Sequence, residues 1–308
     1  MKMLSLVVPC FNEEEVLPLL YKELCSVAEK MKENEFEFIF VDDGSRDKTL
    51  EVIKSFTEDR RVKYISFSRN FGKEAAMLAG LRAAAGDYVA VMDADMQDPP
   101  SMLPEMLEAI NKENADSAAT RRVSRKGEPP IRSLFARLFY RIFNKSSGLD
   151  VKSGSRDFRL MTRRMKDAVV ALPDKERFSK AIYEWVGFKT VWLEYKNVER
   201  AAGKTKWSFK KLFDYALTGV VSFTQSPLKI AEALGALTFA AGAVWGVVDI
   251  ILACVSGPEA VGYQPIIVTI LLVGGAIMLL LGILGRYLAQ MFKEVKGRPE
   301  YIVRDTNI

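Results

Sequence analysis

Asp93 and Asp95 stand one residue apart in DADMQDPP, residues 93–100. Two carboxylates at that spacing, at the end of a strand, can face one site. Gln97 adds a neutral oxygen two residues on, and Asp98-Pro99-Pro100 stops the segment sharply. Hard divalent cations such as Mg²⁺ and Mn²⁺ take such oxygen ligands, usually one or two carboxylates plus substrate phosphates. The residues therefore predict a metal–diphosphate site. A polar strand end capping a helix begun by Pro99 and Pro100 would look the same in isolation. The surrounding elements have to separate the two readings.

The apolar run 88–92 ahead of Asp93 reads as a buried strand. Upstream, an apolar strand at 4–9 and further strand patterns at 36–41 and 62–67 alternate with helical patterns at 13–31, 47–56 and 73–85. Such alternation predicts a parallel sheet with helices on both faces, and ligands bind such sheets beyond the carboxyl ends of the strands. Three polar clusters fall there: Phe11-Asn12-Glu13, Asp42-Asp43-Gly44-Ser45 and Asp93-Ala94-Asp95. Their convergence favours a site over a mere cap. No G-x-G-x-x-G follows the first strand, which argues against a dinucleotide oxidoreductase. The chain has no histidine, so it offers no His base or His metal ligand.

Of the 308 residues 49% are apolar, unevenly spread. Residues 233–248 carry no charge, and after Asp249 the run continues to 255; a second uncharged run covers 265–285. Both are near the ~20 residues that span a bilayer core. The linker 256–264 has no Lys or Arg, whereas Lys229 precedes the pair and Arg286, Lys293, Lys296 and Arg298 follow it. The positive-inside rule then predicts a cell-membrane, multi-pass protein with its catalytic domain and both termini in the cytoplasm. Met1 leads almost directly into a strand, so no secretory signal is expected. Cys10, Cys25 and Cys254 form no spaced framework, in keeping with a reduced compartment. A net charge of +5 suits an anionic leaflet better than nucleic acid. Basic amphipathic patterns at 131–145 and 208–223 suit either the membrane interface or a helix with a solvated basic face. Gly242-x-x-x-Gly246 has the spacing that packs helices closely in a homo-oligomer.

VVPCFNEE (7–14), VDDGSRD (41–47), RNFGKEAA (69–76), DADMQDPP (93–100) and SRDFRLM (155–161) occur in this order. With them the chain resembles family 2 glycosyltransferases of the GT-A fold. It is most similar to the membrane-bound polyprenyl-phosphate enzymes: bactoprenol glucosyltransferases and, more distantly, dolichol-phosphate mannose synthases. The likeness continues through the hairpin and the tail VKGRPEYIV (295–303). It implies an α/β, Rossmann-like GT-A domain with interfacial amphipathic helices and a C-terminal two-helix transmembrane hairpin. The expected division is a catalytic domain at 1–200, a basic juxtamembrane segment at 201–226, a hairpin at 227–292 with spans about 231–255 and 264–286, and a cytoplasmic tail at 293–308.

By this resemblance Pro9, Phe11 and Glu13 line the nucleotide base and ribose pocket, Asp42 bonds the base, and Asp43 and Gly44 lie close by. Lys73 lies near the nucleotide, and Asp93 near the ribose and the metal. Asp95 is the direct metal ligand, with Gln97 reaching the same Mg²⁺ or Mn²⁺. Arg156, Asp157 and Arg159 are placed at a strand edge; these arginines, with Arg200, Lys204 and Lys206 in ERAAGKTKW, hold phosphates. Arg121 and Arg122 are weaker candidates of the same kind. Arg binds phosphate in a fixed fork and Lys as a point charge.

A phosphomonoester acceptor, with a second pKa near ~6, is largely dianionic at neutral pH and needs no strong base. The implied reaction is one inverting displacement: a sugar passes from a nucleotide-sugar donor, UDP-glucose first, to a polyprenyl phosphate such as undecaprenyl phosphate. Asp157 is either a base or a positioning group. The rival readings are another UDP-sugar such as UDP-N-acetylglucosamine, a processive polysaccharide synthase, and a catalytically silent membrane scaffold. KTKW (204–207) is not the Q-x-x-R-W motif of the processive synthases.

Overall fold

The fold is taken from a computed structural model, which describes residues 1–122, 130–152, 154–195, 216–217, 219–256 and 263–308. Four strands open the chain: β1 (Lys2–Cys10), β2 (Asn34–Asp42), β3 (Val62–Phe67) and β4 (Tyr88–Val91). Between them lie α1 (Leu17–Lys30), α2 (Thr49–Ser55) and α3 (Lys73–Ala83). There follow α4 (Leu103–Glu113), β5 (Ser117–Arg122), α5 (Pro130–Ser147), β6 (Ser155–Thr162), α6 (Arg163–Ala171), α7 (Ser179–Trp185), β7 (Thr190–Tyr195) and β8 (Val303–Thr306).

β1 is buried without interruption from Leu4 to Cys10. That is the mark of a central strand covered on both faces, where apolar residues run continuously rather than alternate. On one face Leu4, Leu6 and Val8 pack with Leu17, Leu20 and Leu24 of α1 and with Phe38 and Phe40 of β2. On the other lies α3, whose small residues let it approach closely; a Cβ at Gly80 would stand 2.2 Å from Val7 Cγ1.

The eight strands run in the order β7-β5-β6-β4-β1-β2-β3-β8. β1 pairs in parallel with β2 and β4, and β2 with β3, as the alternation predicts. Beyond the alternating part the pattern changes, because β6 is antiparallel to both β4 and β5. The sheet is mixed. β6 is interior, which corrects the strand-edge placement of Arg156, Asp157 and Arg159. Its apolar residues Phe158, Leu160 and Met161 are fully buried, in keeping with that inner place.

Two long helices, Ser226–Ser256 and Tyr263–Val295, form most of a separate unit at 220–297. Both are long and apolar enough to cross a bilayer, with mean hydropathy 1.5 over Ser226–Val248 and 1.9 over Leu272–Val295. The last residues were expected to be only a tail. Instead 298–308 belong to the first unit, with 1–219, and β8 lies antiparallel on β3.

Candidate active site

The carboxyl ends of β1, β2 and β4 lie side by side, with Cys10 opposite Asp42 and Val7 opposite Val91. Pro9 is buried within β1, and Phe11 and Glu13 follow in the half-buried loop. Asn12, at φ +53°, turns the chain. Its N–H donates to Ser45 Oγ at 2.9 Å, its side-chain oxygen accepts from Arg46 N at 2.9 Å, and Glu13 N donates to Thr49 Oγ1 at 2.8 Å. The β1 and β2 loops are thus laced together.

Asp42 and Asp43 are 1% and 3% exposed. Asp42 accepts from Ser45 N at 3.0 Å and from Ser66 Oγ at 2.8 Å. A base reaches this carboxylate only through the lone pairs those bonds leave. Asp43 accepts from Phe71 N at 2.7 Å, Gly72 N at 3.0 Å and Asn70 Nδ2 at 2.8 Å. Burial pushes its carboxyl up to about 6, against the pull of the Phe71 and Gly72 N–H groups. Gly44, at φ +64°, admits no side chain: a Cβ would stand 2.3 Å from the Arg69 carbonyl carbon. This knot fixes the loop that leads into Lys73.

Lys73 opens α3 and places its ammonium between two carboxylates, 2.5 Å from Asp93 Oδ1 and bonded to Asp157 Oδ2. Burial works to lower the Lys73 pKa, but Asp157 and Asp93 outweigh it and the group is raised. Burial likewise works to raise Asp157, yet Lys73 and Lys180 hold it well below the usual carboxylate range. So deep an ionised state makes Asp157 a poor proton acceptor while Lys73 is paired with it. Lys180, in the first turn of α7, donates to the Ser155 carbonyl at 3.0 Å and lies 3.9 Å from Asp157 Oδ1.

Beyond Asp93, Met96 at φ +58° turns the chain, and Asp95 Oδ1 accepts from Gln97 N at 3.1 Å. Gln97 Oε1 accepts from Arg156 Nη2 at 3.1 Å, and the fully buried Asp98 accepts from Arg156 Nε at 3.0 Å and from the Tyr195 hydroxyl. Burial raises the Asp98 carboxyl, with Arg156 opposing it. Among the described residues Asp98 Oδ2 is a buried oxygen with no hydrogen-bond partner. The donor set at the end of β4 is all oxygen, bordered by Lys73, Lys180 and Arg156. Such a set suits a hard divalent cation, and the cations beside it suit phosphates.

The sheet thus gathers Asp93, Asp95, Gln97, Lys73, Arg156 and Asp157, all named from the sequence. Arg159 is not with them. It is 3% exposed, donates to Thr190 Oγ1 at 3.1 Å, pairs with Glu184 at 3.3 Å, and lies 4.6 Å from the Tyr183 ring centre. Those partners engage its terminal nitrogens and tie it to α7 and β7, while its buried Nε has no hydrogen-bond partner among the described residues. Arg121 pairs with Glu194. Arg200, Lys204 and Lys206 lie outside the described residues. Sequence reasoning missed Lys180 and Tyr195. FSKAIYEW carries no catalytic motif, and only the packing of α7 brings Lys180 to Asp157.

A model of the family "Glycosyl transferase family 2" matches residues 5–169, more than half of the chain. The chain belongs to glycosyl transferase family 2. It is 37% identical to the prophage bactoprenol glucosyl transferase homolog of Escherichia coli K12, over 98% of either chain. It is 38% identical to the uncharacterized glycosyltransferase YkcC of Bacillus subtilis, over 97% of this chain and 93% of that one. Among solved structures it is similar to glucosyl-3-phosphoglycerate synthase of Mycobacterium tuberculosis, crystallised with Mn²⁺, UDP-glucose and phosphoglyceric acid. The TM-score is 0.50 and the identity 16%, covering 71% of this chain and 78% of that one. That likeness shows a shared GT-A-type fold. As a family 2 enzyme the chain is a glycosyltransferase, and its strand-end acids and cations lie where ligands bind such sheets.

Proposed function

We propose that this glycosyltransferase moves glucose from UDP-glucose to a polyprenyl phosphate, undecaprenyl phosphate first, at the cytoplasmic face of the cell membrane. The observation that carries the reading is one compact group: Asp93, Asp95 and Gln97 for a metal diphosphate, beside Lys73, Lys180 and Arg156 for phosphates. The full-length relatives named bactoprenol glucosyl transferase favour glucose and a polyprenol. Asp95, with Asp93 and Gln97, would hold Mg²⁺ or Mn²⁺, which supplies charge neutralisation on the departing diphosphate. Pro9, Phe11, Glu13 and the Asp42–Gly44 turn would cradle the nucleoside.

The residues' part in the chemistry is positioning. Lys73, Lys180 and Arg156 would hold two mutually repelling phosphates in line. An oxygen of the acceptor phosphate attacks the anomeric carbon, and the bond to the UDP oxygen breaks with its electron pair. No proton must be removed from a dianionic acceptor, which accords with the absent histidines and the deeply ionised Asp157. A single displacement inverts the centre and gives a β-linked glycolipid from an α-linked donor. The two apolar helices would anchor the enzyme. The chain leaves the first unit for them and returns to it, so an even number of crossings supports one side for the sheet. The basic flanks favour the cytoplasmic side.

The test incubates purified enzyme with Mn²⁺ or Mg²⁺, undecaprenyl phosphate and a panel of labelled UDP-sugars. A single β-linked glycolipid from UDP-glucose is expected. No labelled lipid from any sugar nucleotide overturns the reading, and labelled polymer would instead indicate a processive synthase.

A further inference from the structure

Gly297, at φ +62°, follows the second apolar helix, and Glu300 and Tyr301 come next in the first unit. Glu300 accepts from two cations, Arg82 Nη1 at 3.4 Å and Lys175 Nζ at 3.3 Å, with its side chain 14% exposed. Arg82 lies in the last turn of α3, the helix that Lys73 opens. Lys175 lies in the connection that leads into α7, whose first turn carries Lys180. One carboxylate therefore joins the far end of α3, which Lys73 opens, to the connection that enters α7 just ahead of Lys180.

The next residue reaches the loop between β3 and α3. The Tyr301 ring stacks on Phe67, centroids 4.9 Å apart and planes 14° apart, and the Arg82 guanidinium lies 5.7 Å from the Tyr301 centroid. Phe67 ends β3 and meets Phe71 edge-on at 5.8 Å. Phe71 N is the group that Asp43 holds, two residues before Lys73. β8 then secures the segment, with Ser68 N donating to the Ile302 carbonyl at 2.9 Å.

We propose that Glu300 and Tyr301 are positioning residues for the transfer site, setting α3, α7 and the Phe71 loop so that Lys73 and Lys180 both face Asp157. The proposal rests on the glycosyl-transfer reading. Misplacing a reacting group by about 1 Å costs on the order of 10²-fold in rate, so a loosened clamp acts on donor use before it melts the sheet. A purely structural edge strand would instead lose stability alone.

The test uses the full-length enzyme in detergent, with Glu300→Gln, Tyr301→Ala, Tyr301→Phe and, as control, Asn307→Ala. Asn307 bonds Tyr64 N at 2.7 Å and the Val62 carbonyl at 3.1 Å, away from the Phe71 loop. Measured are kcat and KM for UDP-glucose at saturating acceptor, UDP affinity with Mn²⁺ by calorimetry, and thermal unfolding. Tyr301→Ala and Glu300→Gln should lower donor kcat/KM and UDP affinity about tenfold. Tyr301→Phe, which keeps the ring on Phe67, should stay within about twofold of wild type, as should Asn307→Ala even where its unfolding temperature falls. The inference is overturned if Tyr301→Ala stays within that twofold range, or if Asn307→Ala loses as much as Tyr301→Ala. A wild type that forms no glycolipid sinks the transfer reading instead; UDP affinity then decides the clamp, an unchanged value in Tyr301→Ala refuting it.

Discussion

Two acidic pairs end the strands that flank β1, and they have different fates. Asp42 and Asp43 are buried, and their oxygens accept from Ser45, Ser66, Asn70, Phe71 and Gly72. Asp93 remains 24% exposed at the side chain and faces one lysine ammonium, and the half-buried Asp95 follows where Met96 turns the chain. The contrast shows what a strand-end carboxylate is used for. Where the next loop folds over it, fixed backbone donors take its lone pairs and it becomes wiring. Where the loop turns away, its partner is a cation that a ligand can displace. Residue type and position are alike; the course of the following loop decides.

The largest effect should come from the open pair. Asp95→Asn is expected to lower glycolipid formation by at least about 10³-fold, with an unfolding temperature within ~2 °C of wild type. A transfer assay beside a thermal melt checks this, and retained activity would remove Asp95 from the metal role. Next comes the closed pair's turn. Gly44→Ala drives a Cβ into the Arg69–Asn70 backbone and should cost about 3 kcal/mol or more, read as a lowered denaturant midpoint.

Lys73→Met leaves Asp93 and Asp157 with no ammonium between them as the diphosphate arrives. Turnover should fall roughly 10²-fold with a higher donor KM, by steady-state kinetics. Asp43→Ala orphans the Phe71 and Gly72 N–H groups and should cost about 2 kcal/mol of stability.

This last variant also carries a pH signature. Folding raises the Asp43 carboxyl from 3.8 to about 6, so the native state binds a proton that the unfolded chain releases in between. That contribution is present at low pH and is lost as pH rises through about 6. The stability gap between wild type and Asp43→Ala should therefore widen as pH falls from about 7 to about 5, seen in melts across that range. A gap independent of pH would show that Asp43 is ordinary wiring without trapped charge.

Much of this was legible in the sequence. β1 and β4 announce themselves as largely apolar runs, β2 and β3 as apolar-rich segments broken by Glu37, Lys63 and Ser66, and Asp93 and Asp95 fall at the predicted strand end. β1, β2, β3 and β4 pair in parallel as their alternation predicts; the antiparallel β6 lay beyond that pattern, because strand direction there is set by tertiary pairing. β6 buries Phe158, Leu160 and Met161 behind a charged start that mimics an edge. β8 was invisible: Val303-Arg304-Asp305-Thr306 has no apolar stripe and pairs through its backbone on β3. Arg159 looked like a phosphate ligand from its motif. Only the packing of Glu184, Tyr183 and Thr190 shows that its two terminal nitrogens are already engaged, with Nε alone lacking a partner among the described residues.

β8 also changes how the hairpin relates to the rest of the chain. The apolar helices are an insertion within a domain, since the unit they interrupt resumes at 298 and its sheet at β8. Cutting the chain ahead of residue 220 to obtain a soluble enzyme would strip β8 from β3 and leave that strand's N–H and C=O groups bare. A bare sheet edge recruits other chains and aggregates. A soluble form has to excise the hairpin and keep residues 298–308.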